Sequence, residues 1–405
     1  MLNPVYKYMK HMPLESIKVL DFSRVLAGPY CTMLLGDMGA EIIKVEQPGK
    51  GDDSRSFGPP FINGESVYFC SFNRNKKSIT VNLKTEKGHE IIKELIKKSD
   101  VLVENFRPGY MKKIGLSYEE VEKINPRIIY ASVSGYGHTG PYSSLPGYDV
   151  VAQGLSGVMS LTGDPSGIPY KAGPSIADLI GALYTFQGIL LALIARQNTG
   201  KGQRVDVALL DSLLSLLNYQ AGMYLATGIC PGRNGNHHQS IAPFGTFKAS
   251  DDYINIAIGN DKFWDIFCDV TGCEDIKHDP KFATNPARVK NRDELCSVIQ
   301  HIIGQKKAEE WISLFHKHGI PAGGVLSLDK VVAQPQILAR NMVVDIDHPT
   351  CGNMKLIGIP VKLSDTPGAI KLPSPLLGQH NEEILCGMLG YDKHEVKKFL
   401  EEGVL

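Results

Sequence analysis

Neither sign of charge is in excess in this sequence, because 43 basic side chains balance 43 acidic ones across 405 residues. A balanced charge produces no long-range field that would attract nucleic acid or an anionic membrane surface. We therefore expect no nucleic-acid partner, and any ligand must be recognised by a local site. The length exceeds what one hydrophobic core usually supports, so two domains are expected.

Closely spaced cysteine pairs are missing as well. None of the eight cysteines forms a CxxC motif, which argues against zinc-ribbon and thioredoxin-like proteins. The twelve histidines include no HExxH motif and no cluster with cysteine at ligand spacing, so the sequence predicts no metal site. Scattered thiols are typical of a reducing compartment, and the cytoplasm, or an organelle matrix, is the expected location.

A membrane-spanning run is lacking too. The longest uncharged stretch, Leu179 to Ala195, is short for a bilayer core, which needs roughly 20 apolar residues. It also contains Tyr184 and Gln187, so we expect a buried core helix and no membrane partner. The N-terminal stretch 1–16 is polar and basic and lacks the apolar run of a signal peptide.

Strand and helix patterns alternate in the N-terminal part of the chain. Strands are predicted at Ile17–Phe22, Ala40–Val45, Ser78–Leu83, Asp100–Glu104 and Ile128–Val133, and helices at Tyr30–Gly39, Lys87–Lys98 and Tyr118–Ile124. This order is typical of a parallel sheet with helices on both faces. The turn after the first strand reads SRVLAGP and lacks the GxGxxG pattern, so a nicotinamide or flavin cofactor is poorly supported.

The second half of the chain changes pattern several times. A long helical pattern runs from Asp178 to about Ala226 with a break at 198–202, and a loop follows at 228–240. Mixed strand and helix patterns from about 241 to 325 predict a smaller second domain. The tail is rich in Pro and Gly and ends in a predicted charged helix at Glu382–Glu402.

Short motifs recur along the chain in a specific order. They are Asp21–Pro29 (DFSRVLAGP), Gly36–Glu46 (GDMGAEIIKVE), Asn73–Leu83 (NRNKKSITVNL), Glu104–Gly109 (ENFRPG), Ser134–Pro141 (SGYGHTGP), Gly147–Gln153 (GYDVVAQ), Asp178, Thr199–Gln203 (TGKGQ) and Pro375–His380 (PLLGQH). In this order they resemble the class III CoA-transferase family, which includes formyl-CoA, carnitine and bile-acid CoA-transferases. The resemblance runs from about Pro13 to the C-terminus and is specific for the family rather than for the substrate.

The resemblance implies an α/β fold of a particular kind. A large Rossmann-like domain is expected from both chain ends, residues 1–225 and 326–405, with a smaller α+β domain inserted at 226–325. Two subunits of the family thread through each other as interlocked rings, so an interlocked homodimer is expected. The co-substrate would be a coenzyme A (CoA) thioester, the second partner a small carboxylic acid, and no tightly bound cofactor is expected.

Asp178 is the candidate catalytic residue. By local chemistry alone it would be a helix N-cap before the apolar run, and the helix dipole would keep its carboxylate ionised. The resemblance implies that this carboxylate attacks the acyl-CoA thioester, giving a mixed anhydride and then an aspartyl-CoA thioester. Covalent catalysis of this kind divides one difficult exchange into easier steps. Glycine loops at 135–140 and 156–157 are candidates for the oxyanion donors.

The resemblance also implies a CoA site. The matching positions are Leu26, Ala27, Lys84, Asn105, Phe106, Arg107, Lys113 and Asp149. Lys84, Arg107 and Lys113 would bind the phosphates, because a 3′-phosphate and a pyrophosphate need positive partners. Taken singly, each Lys is also explained as a solvated surface charge and Phe106 as a core residue. Gln47 stands where some members of the family carry an Arg near the adenine.

The acceptor acid is less clearly indicated. The stretch 233–245 lacks the glycine run of formyl- and oxalyl-CoA transferases and resembles that of enzymes using succinyl-CoA and short dicarboxylic acids such as glutarate. The candidate substrate residues are Tyr148, Arg233, His237 and His238. The two adjacent histidines are also explained as solvated loop residues.

Three alternatives stay open. An acyl-CoA racemase on the same fold would place a His where this chain has Tyr148, and a phenol with an ordinary pKa of about 10 is a poor base. A formyl- or oxalyl-CoA transferase is the second alternative. A non-catalytic CoA-binding protein is the third, because a helix cap would explain Asp178 equally well.

Overall fold

The structure is a computed structural model, and it describes residues 11–405. Most of the N-terminal stretch 1–16, for which no signal peptide was predicted, lies outside the described residues. The strands are β1 (Lys18–Asp21), β2 (Glu41–Glu46), β3 (Phe61–Ile62), β4 (Glu65–Ser66), β5 (Lys76–Thr80), β6 (Val101–Glu104), β7 (Ile129–Ser134), β8 (Arg204–Ala208), β9 (Phe244–Lys248), β10 (Tyr253–Ala257), β11 (Ala322–Gly324), β12 (Val343–His348) and β13 (Gly352–Ile357).

The helices lie between these strands. They are α1 (Ala27–Asp37), α2 (Val67–Phe72), α3 (Glu86–Lys98), α4 (Tyr110–Lys113), α5 (Tyr118–Ile124), α6 (Asp149–Leu155), α7 (Val158–Leu161), α8 (Ile176–Thr199), α9 (Leu209–Leu216), α10 (Asn218–Thr227), α11 (Asp261–Thr271), α12 (Glu274–Lys277), α13 (Asn285–Lys290), α14 (Arg292–Ile303), α15 (Ala308–Lys317), α16 (Leu328–Val332), α17 (Pro335–Ala339), α18 (Asn381–Ile384) and α19 (Lys393–Glu401).

Six parallel strands form the central sheet, in the order β5-β2-β1-β6-β7-β8. Successive residues of the inner strands alternate between two cores: Val19 and Ile42 face one side, and Leu20 and Ile43 face the other. Helices α1 and α8 cover the first side and α3 covers the second. Because helices cover both faces, the inner strands are buried at nearly every position. The predicted α/β fold with a parallel sheet is confirmed.

The third predicted strand is displaced along the chain. Strand β5 begins at Lys76 rather than at Ser78, and the Lys76 side chain is fully buried. The Lys76 ammonium donates to Asp21 Oδ2 at 3.2 Å and to Asn73 Oδ1 at 2.9 Å. A lysine in a sequence usually marks a surface position. The sequence pattern therefore does not reveal that β5 begins at Lys76, because the partners of the Lys76 ammonium come together only in the folded chain.

The long helical pattern that begins at Asp178 contains a strand. Helix α8 ends at Thr199, where Gly200 adopts a left-handed conformation, and β8 then pairs in parallel with β7. Strand β8 lies at the edge of the sheet between two apolar helices. An alternation this short, next to two strong helical patterns, is too weak a signal to predict a strand.

Helix α8 is only partly buried, which corrects the expectation of a buried core helix. One face, including Gly181, Thr185 and Ile189, is buried, whereas Leu191 and Ile194 on the other face are each 58% exposed. Among the described residues, α8 is the one helix long and apolar enough to cross a membrane. A single helix of this kind is weak evidence for a membrane protein, since core helices pass the same test.

The predicted C-terminal helix at Glu382–Glu402 is divided in two. Helix α18 continues into a π-helical turn at Leu385–Leu389, and Gly390, with a φ of 84°, ends it. Helix α19 then begins with a reciprocal capping box formed by Asp392 and Glu395. The left-handed Gly390 is the physical reason for the break, because it closes one helical segment before the next begins.

The chain divides into two compact units. The first comprises the residues up to Val158, Ala172–Tyr219 and Pro335–Leu405, and the second comprises Met159–Lys171 and Gln220–Gln334. The short segment Met159–Lys171 belongs to the second unit, whereas the sequence assigned it to the large domain. The second unit has its own antiparallel sheet, in the order β11-β10-β9, and its own hydrophobic core.

Candidate active site

A cleft of about 290 Å³ opens at the carboxyl ends of β1, β6 and β7. The segments Arg24–Ala27, Asn105–Arg107 and Gly135, which follow these strands, line it. Ligands bind at this edge of parallel sheets because loops after neighbouring strands meet there. The cleft brings together several predicted site residues, namely Leu26, Ala27, Asn105, Phe106, Arg107, Tyr148 and Asp178.

Asp178 is the third residue of α8 and not its N-cap, so the prediction of a cap is wrong. Ser175 occupies the cap position and makes no side-chain cap bond within the described residues. The carboxylate of Asp149 takes this role, since its Oδ1 accepts a hydrogen bond from the Ala177 amide at 2.8 Å. An Asp from a distant segment therefore accepts from one of the free amides in the first turn of the helix. Asp178 lines the cleft instead.

The surroundings of Asp178 oppose its ionisation. Burial, and after it the negative charge of Asp149, raise the pKa of the Asp178 carboxyl to about 7. A helix dipole contributes about 0.3–1 kcal/mol to a terminal charge. Moving this pKa from 3.8 to about 7 corresponds to about 4 kcal/mol. Desolvation and the like charge outweigh the dipole, so the expectation that the dipole keeps Asp178 ionised is wrong.

Asp149 is held by a second contact inside the protein. Gln153 Nε2 donates to Asp149 Oδ2 at 2.7 Å, and Gln153 Oε1 accepts from the Ala172 amide at 2.8 Å. The Gln153 side chain is fully buried. Asp149, a predicted CoA residue, is not among the residues that line the cleft in the described chain. Its Oδ1 instead connects the start of α6 to the start of α8, and its Oδ2 is held within α6.

Two glycines determine where Tyr148 lies. Gly135, directly after β7, packs backbone to backbone against Gly147, so that a Cβ atom on Gly135 would lie 2.6 Å from the Gly147 Cα. A side chain at either position would force the two segments apart. Tyr148 follows Gly147, is 74% exposed, and lines the cleft from its open side.

The loop after β1 stands in place of the glycine-rich turn of a dinucleotide site. Val25 adopts a left-handed backbone with a φ of 66°, which is strained for a β-branched residue. Its amide donates to Asp52 Oδ1 at 3.1 Å. Asn105 holds the preceding residue through two bonds of 2.8 Å, since its Oδ1 accepts from Arg24 N and its Nδ2 donates to Arg24 O. Side chains from two other segments therefore fix this loop.

A smaller cavity of about 190 Å³ adjoins the cleft, because Arg24 and Phe106 line both. It contains the predicted phosphate ligand Lys84, together with Gln47. The ring centroids of Phe106 and Tyr110 are 4.5 Å apart, and the guanidinium carbon of Arg24 lies 5.1 Å from the Phe106 centroid. Aromatic faces beside cations suit a nucleotide base and its phosphates.

The predicted CoA residue Lys113 lies apart from this arrangement. It is exposed at the end of α4 and does not line either cavity in the part of the chain that the structure describes. Arg24, which the sequence does not single out, lines both cavities, and its Nη1 is 3.8 Å from Asp53 Oδ2. The available signal for Arg24 is its place in the DFSRVLAGP motif, in the turn after β1.

Tyr68 is a second residue that the sequence does not indicate. It lies on the short helix α2 and is half-buried. Burial, and then the negative charges of Asp178, Asp52 and Asp149, raise the pKa of Tyr68 to about 12. Its phenol therefore lies within the electrostatic reach of Asp178. With this pKa it stays protonated at neutral pH and can donate a hydrogen bond.

A known family shares this sequence pattern, because the model of CoA-transferase family III matches residues 14–381. The chain belongs to CoA-transferase family III. It is 43% identical over 393 residues to the succinyl-CoA:glutarate CoA-transferase of Mus musculus, covering 97% of this chain and 90% of that protein. It is 42% identical over 367 residues to the acetyl-CoA:oxalate CoA-transferase of Acetobacter aceti, covering 89% and 93%. A CAIB/BAIF family protein from Brucella suis superimposes with a TM-score of 0.84 at 41% identity, covering 93% of this chain and 100% of that one.

The predicted enzyme class is confirmed: the protein is a CoA-transferase, which moves CoA between an acyl-CoA and a carboxylic acid. Both relatives named above are transferases and cover most of this chain. The racemase and the non-catalytic alternatives therefore lose their support.

The other predicted substrate residues of this CoA-transferase lie in its second unit. Arg233 donates from Nε and Nη2 to two backbone oxygens of the 164–167 loop, at 3.0 and 2.6 Å. His237 is half-buried, and burial lowers its pKa. His238 Nδ1 accepts from the Ser240 amide at 3.1 Å. Each of the three has contacts within this unit that stabilise its loops.

Proposed function

We propose that this CoA-transferase moves CoA from succinyl-CoA to a short dicarboxylic acid, with Asp178 as the covalent nucleophile. The observation that carries the proposal is the Asp178 carboxyl, which lines the cleft at the carboxyl edge of the sheet and has a raised pKa. The substrates are suggested by the 43% identity to a relative named for succinyl-CoA and glutarate. Glutarate is therefore the first candidate acceptor.

The first half-reaction captures CoA. An ionised oxygen of Asp178 attacks the thioester carbonyl, and the tetrahedral adduct expels CoA thiolate to leave a mixed anhydride of Asp178 and succinate. The thiolate then attacks the aspartyl carbonyl, and succinate leaves with the bonding electron pair. The product is an aspartyl-CoA thioester, and the two steps together neither take up nor release a proton.

The second half-reaction repeats these steps in reverse with the new acid. A carboxylate of glutarate attacks the aspartyl-CoA carbonyl and expels CoA thiolate, which gives a second mixed anhydride. The thiolate attacks the glutaryl carbonyl of that anhydride, and the Asp178 carboxylate is regenerated. The enzyme thus holds CoA covalently while one acid leaves and the other enters.

The neighbouring side chains supply position and charge. Asp149 fixes the first turn of α8 through the Ala177 amide, and its charge makes the Asp178 carboxylate more basic and hence a stronger nucleophile once ionised. The phenol of Tyr68 lies within electrostatic reach of Asp178 and stays protonated at neutral pH. In the adjoining cavity, Lys84 binds phosphate and Phe106 stacks on the adenine.

The acceptor assignment is tested by mass spectrometry of CoA exchange. Succinyl-CoA is mixed with the protein and with glutarate, valerate or oxalate in parallel reactions. Valerate is the matched control, because it replaces the distal carboxylate of glutarate by a methyl group. Glutaryl-CoA should form at least about 100-fold faster than valeryl-CoA, since a site that pairs a charge rejects analogues lacking it. Transfer only to oxalate would show that glutarate is not the acceptor, and equal rates with glutarate and valerate would show that the dicarboxylate assignment is wrong.

We expect the rate of CoA capture to rise with pH up to about 7. Because the pKa of Asp178 is raised to about 7, the reactive carboxylate increases about tenfold for each pH unit below that value and levels off above it. The measurement is kcat/KM for succinyl-CoA between about pH 5 and about pH 8.5. Asp149→Asn removes the like charge and should move the midpoint to lower pH. A flat profile over this range would mean that Asp178 titrates like an ordinary Asp.

We also propose that the protein is a homodimer. The outer face of α8 and the neighbouring α9 expose a set of large apolar side chains, namely Leu183, Tyr184, Leu191, Ile194, Leu214 and Leu216. Such a patch usually marks an interface. Light scattering should give twice the chain mass of 44.4 kDa, and the Leu191→Glu/Ile194→Glu variant should give a single chain. Binding of the unmodified protein to neutral lipid vesicles would favour a membrane partner for this face instead.

A further inference from the structure

Three side chains from distant parts of the sequence converge outside the cleft. Cys70 lies on α2, His348 ends β12, and Cys351 lies in the turn before β13. One potential ligand atom from each lies within 4.8 Å of the others. The sequence predicted no cluster of Cys with His, and this is corrected, because the fold brings Cys70 to a His-x-x-Cys turn more than half the chain away.

The hairpin holds its two members of this cluster in place. His348 is only 4% exposed, and its Nδ1 accepts hydrogen bonds from the Thr350 amide at 3.2 Å and from the Cys351 amide at 3.1 Å. The Cys351 thiol donates to the Ile62 carbonyl oxygen at 3.5 Å. Cys70, at 2% exposed, approaches the cluster from the protein interior. The two sulfur atoms are therefore held close together by the folded chain.

The hydrogen bonds of His348 argue against a metal ion. Burial lowers the pKa of His348 and favours the neutral ring. A neutral ring whose Nδ1 accepts hydrogen bonds carries its proton on Nε2, and this Nε2 is buried. The ring then has no lone pair left for a metal. Two thiols remain, which is fewer than the three or four protein ligands of zinc sites.

We propose that Cys70 and Cys351 form a reversible disulfide when the protein meets a small disulfide such as oxidised glutathione. The Cys351 thiolate attacks one glutathione sulfur, the S–S bond of glutathione breaks, and one reduced glutathione leaves. The Cys70 thiolate then attacks the Cys351 sulfur and expels the second glutathione. Two protein thiols are oxidised, one glutathione disulfide is reduced, and the two thiol protons end on the two glutathione molecules.

The two cysteines have different parts in this sequence. Cys351 is half-buried and meets the oxidant, whereas Cys70 is buried and resolves the mixed disulfide. Burial raises the pKa of the Cys351 thiol to about 11 and raises that of Cys70 as well. Because the thiolate is the reactive form, the reaction is slow at neutral pH and accelerates about tenfold per pH unit between about pH 7 and about pH 10.

The cross-link would join α2 to the hairpin of β12 and β13. Closing such a long loop restricts the unfolded chain, so the oxidised protein should melt at a higher temperature. Tyr68 lies on the same short helix as Cys70. The bond would therefore also fasten the helix that carries this phenol.

The test is oxidation of the full-length protein with oxidised glutathione at about pH 9, where enough thiolate is present. After quenching and non-reducing digestion, mass spectrometry should find the peptides of Cys70 and Cys351 joined, and dithiothreitol should separate them. Thermal unfolding of the oxidised protein should shift upward by several degrees. Cys230→Ser, which removes an exposed thiol of the second unit, should leave both results unchanged.

Cys70→Ser and Cys351→Ser should each abolish the joined peptide and the thermal shift. Cys351 lies in a half-buried turn, so Cys351→Ser should fold even if Cys70→Ser, which alters a buried residue, does not. The test can then be made with the Cys351 variant alone. Recovery of Cys351 as a stable glutathione adduct, with Cys70 still open to alkylation in the unfolded protein, would overturn the proposal. So would one equivalent of zinc that stays bound to the purified protein and is lost in both variants.

Discussion

CoA transfer by the Asp178→Asn variant is expected to fall at least about 10³-fold, while its melting temperature rises. The amide has the shape of the carboxyl group, so the cleft should keep its geometry. It lacks the anionic oxygen that the proposed mechanism requires, so by that mechanism neither the anhydride nor the aspartyl-CoA could form. A loss of this size is typical when a covalent nucleophile is removed.

The gain in stability follows from the direction of the pKa change. Folding raises the pKa of Asp178 from 3.8 to about 7, so the folded state binds this proton more tightly than the unfolded state. The free energy of unfolding therefore decreases as pH rises from about 4 to about 7. Above pH 7, the ionised group costs on the order of 2–4 kcal/mol. Replacement by Asn removes this cost, so the gain should be large at about pH 8 and small at about pH 5.

The matched control for this variant is Asp211→Asn. Asp211 also lies in the first turn of an apolar helix, α9, but is exposed. Its replacement should leave the transfer rate unchanged. If the Asp178→Asn variant still transferred CoA at the wild-type rate, Asp178 would not be the nucleophile. Lower stability of that variant at about pH 8 would contradict the raised pKa.

Lys44→Met is expected to lower the free energy of unfolding by about 3–5 kcal/mol. The Lys44 side chain is fully buried, with its ammonium 2.8 Å from Asp52 Oδ2 and donating to the Ser23 carbonyl at 2.8 Å. Burial alone would raise the pKa of Asp52, but the positive charge of Lys44 lowers the pKa of this carboxyl below its usual value. Methionine has a similar volume and no charge, so the variant leaves Asp52 as an unpaired buried carboxylate.

Lys50→Met is the control for Lys44→Met. Lys50 also forms an ion pair, with Asp53 at 2.6 Å, but its side chain is 61% exposed. Exposed pairs contribute about 0–1 kcal/mol, so urea unfolding should separate the two variants clearly. Equal losses of unfolding free energy in the two variants would mean that the buried Lys44–Asp52 pair stabilises the protein no more than an exposed pair does. Because Asp52 Oδ1 also holds the strained Val25 at the cleft, Lys44→Met should weaken CoA binding as well.

The features that follow local periodicity could be predicted from the sequence. Helix α5, at Tyr118–Ile124, has the predicted bounds, and strand β6 differs from its prediction by one residue at its start. Both lie in segments whose apolar spacing matches one period. Asp178 and the CoA-transferase class were predicted by resemblance, and the match of the family model confirms the class.

Other features depended on contacts between distant residues and could not be predicted. Lys76 is a strand residue because Asp21 and Asn73 pair its ammonium inside the fold. The Cys70 thiol meets His348 and Cys351 only after the chain has folded. From the local sequence, Lys76 is interpreted as a surface charge and the cysteines as scattered thiols, since nothing nearby in the sequence indicates their partners.

The sequence by itself determined the parallel α/β plan and the family, and it indicated Asp178 as the candidate carboxyl group, because these follow from local patterns or ordered motifs. Only the tertiary structure decided the chemical state of that group. Asp149 comes from a different segment, caps α8 and places a second negative charge near Asp178. Electrostatic effects depend on distance in space and on burial, and neither quantity is present in the order of the residues.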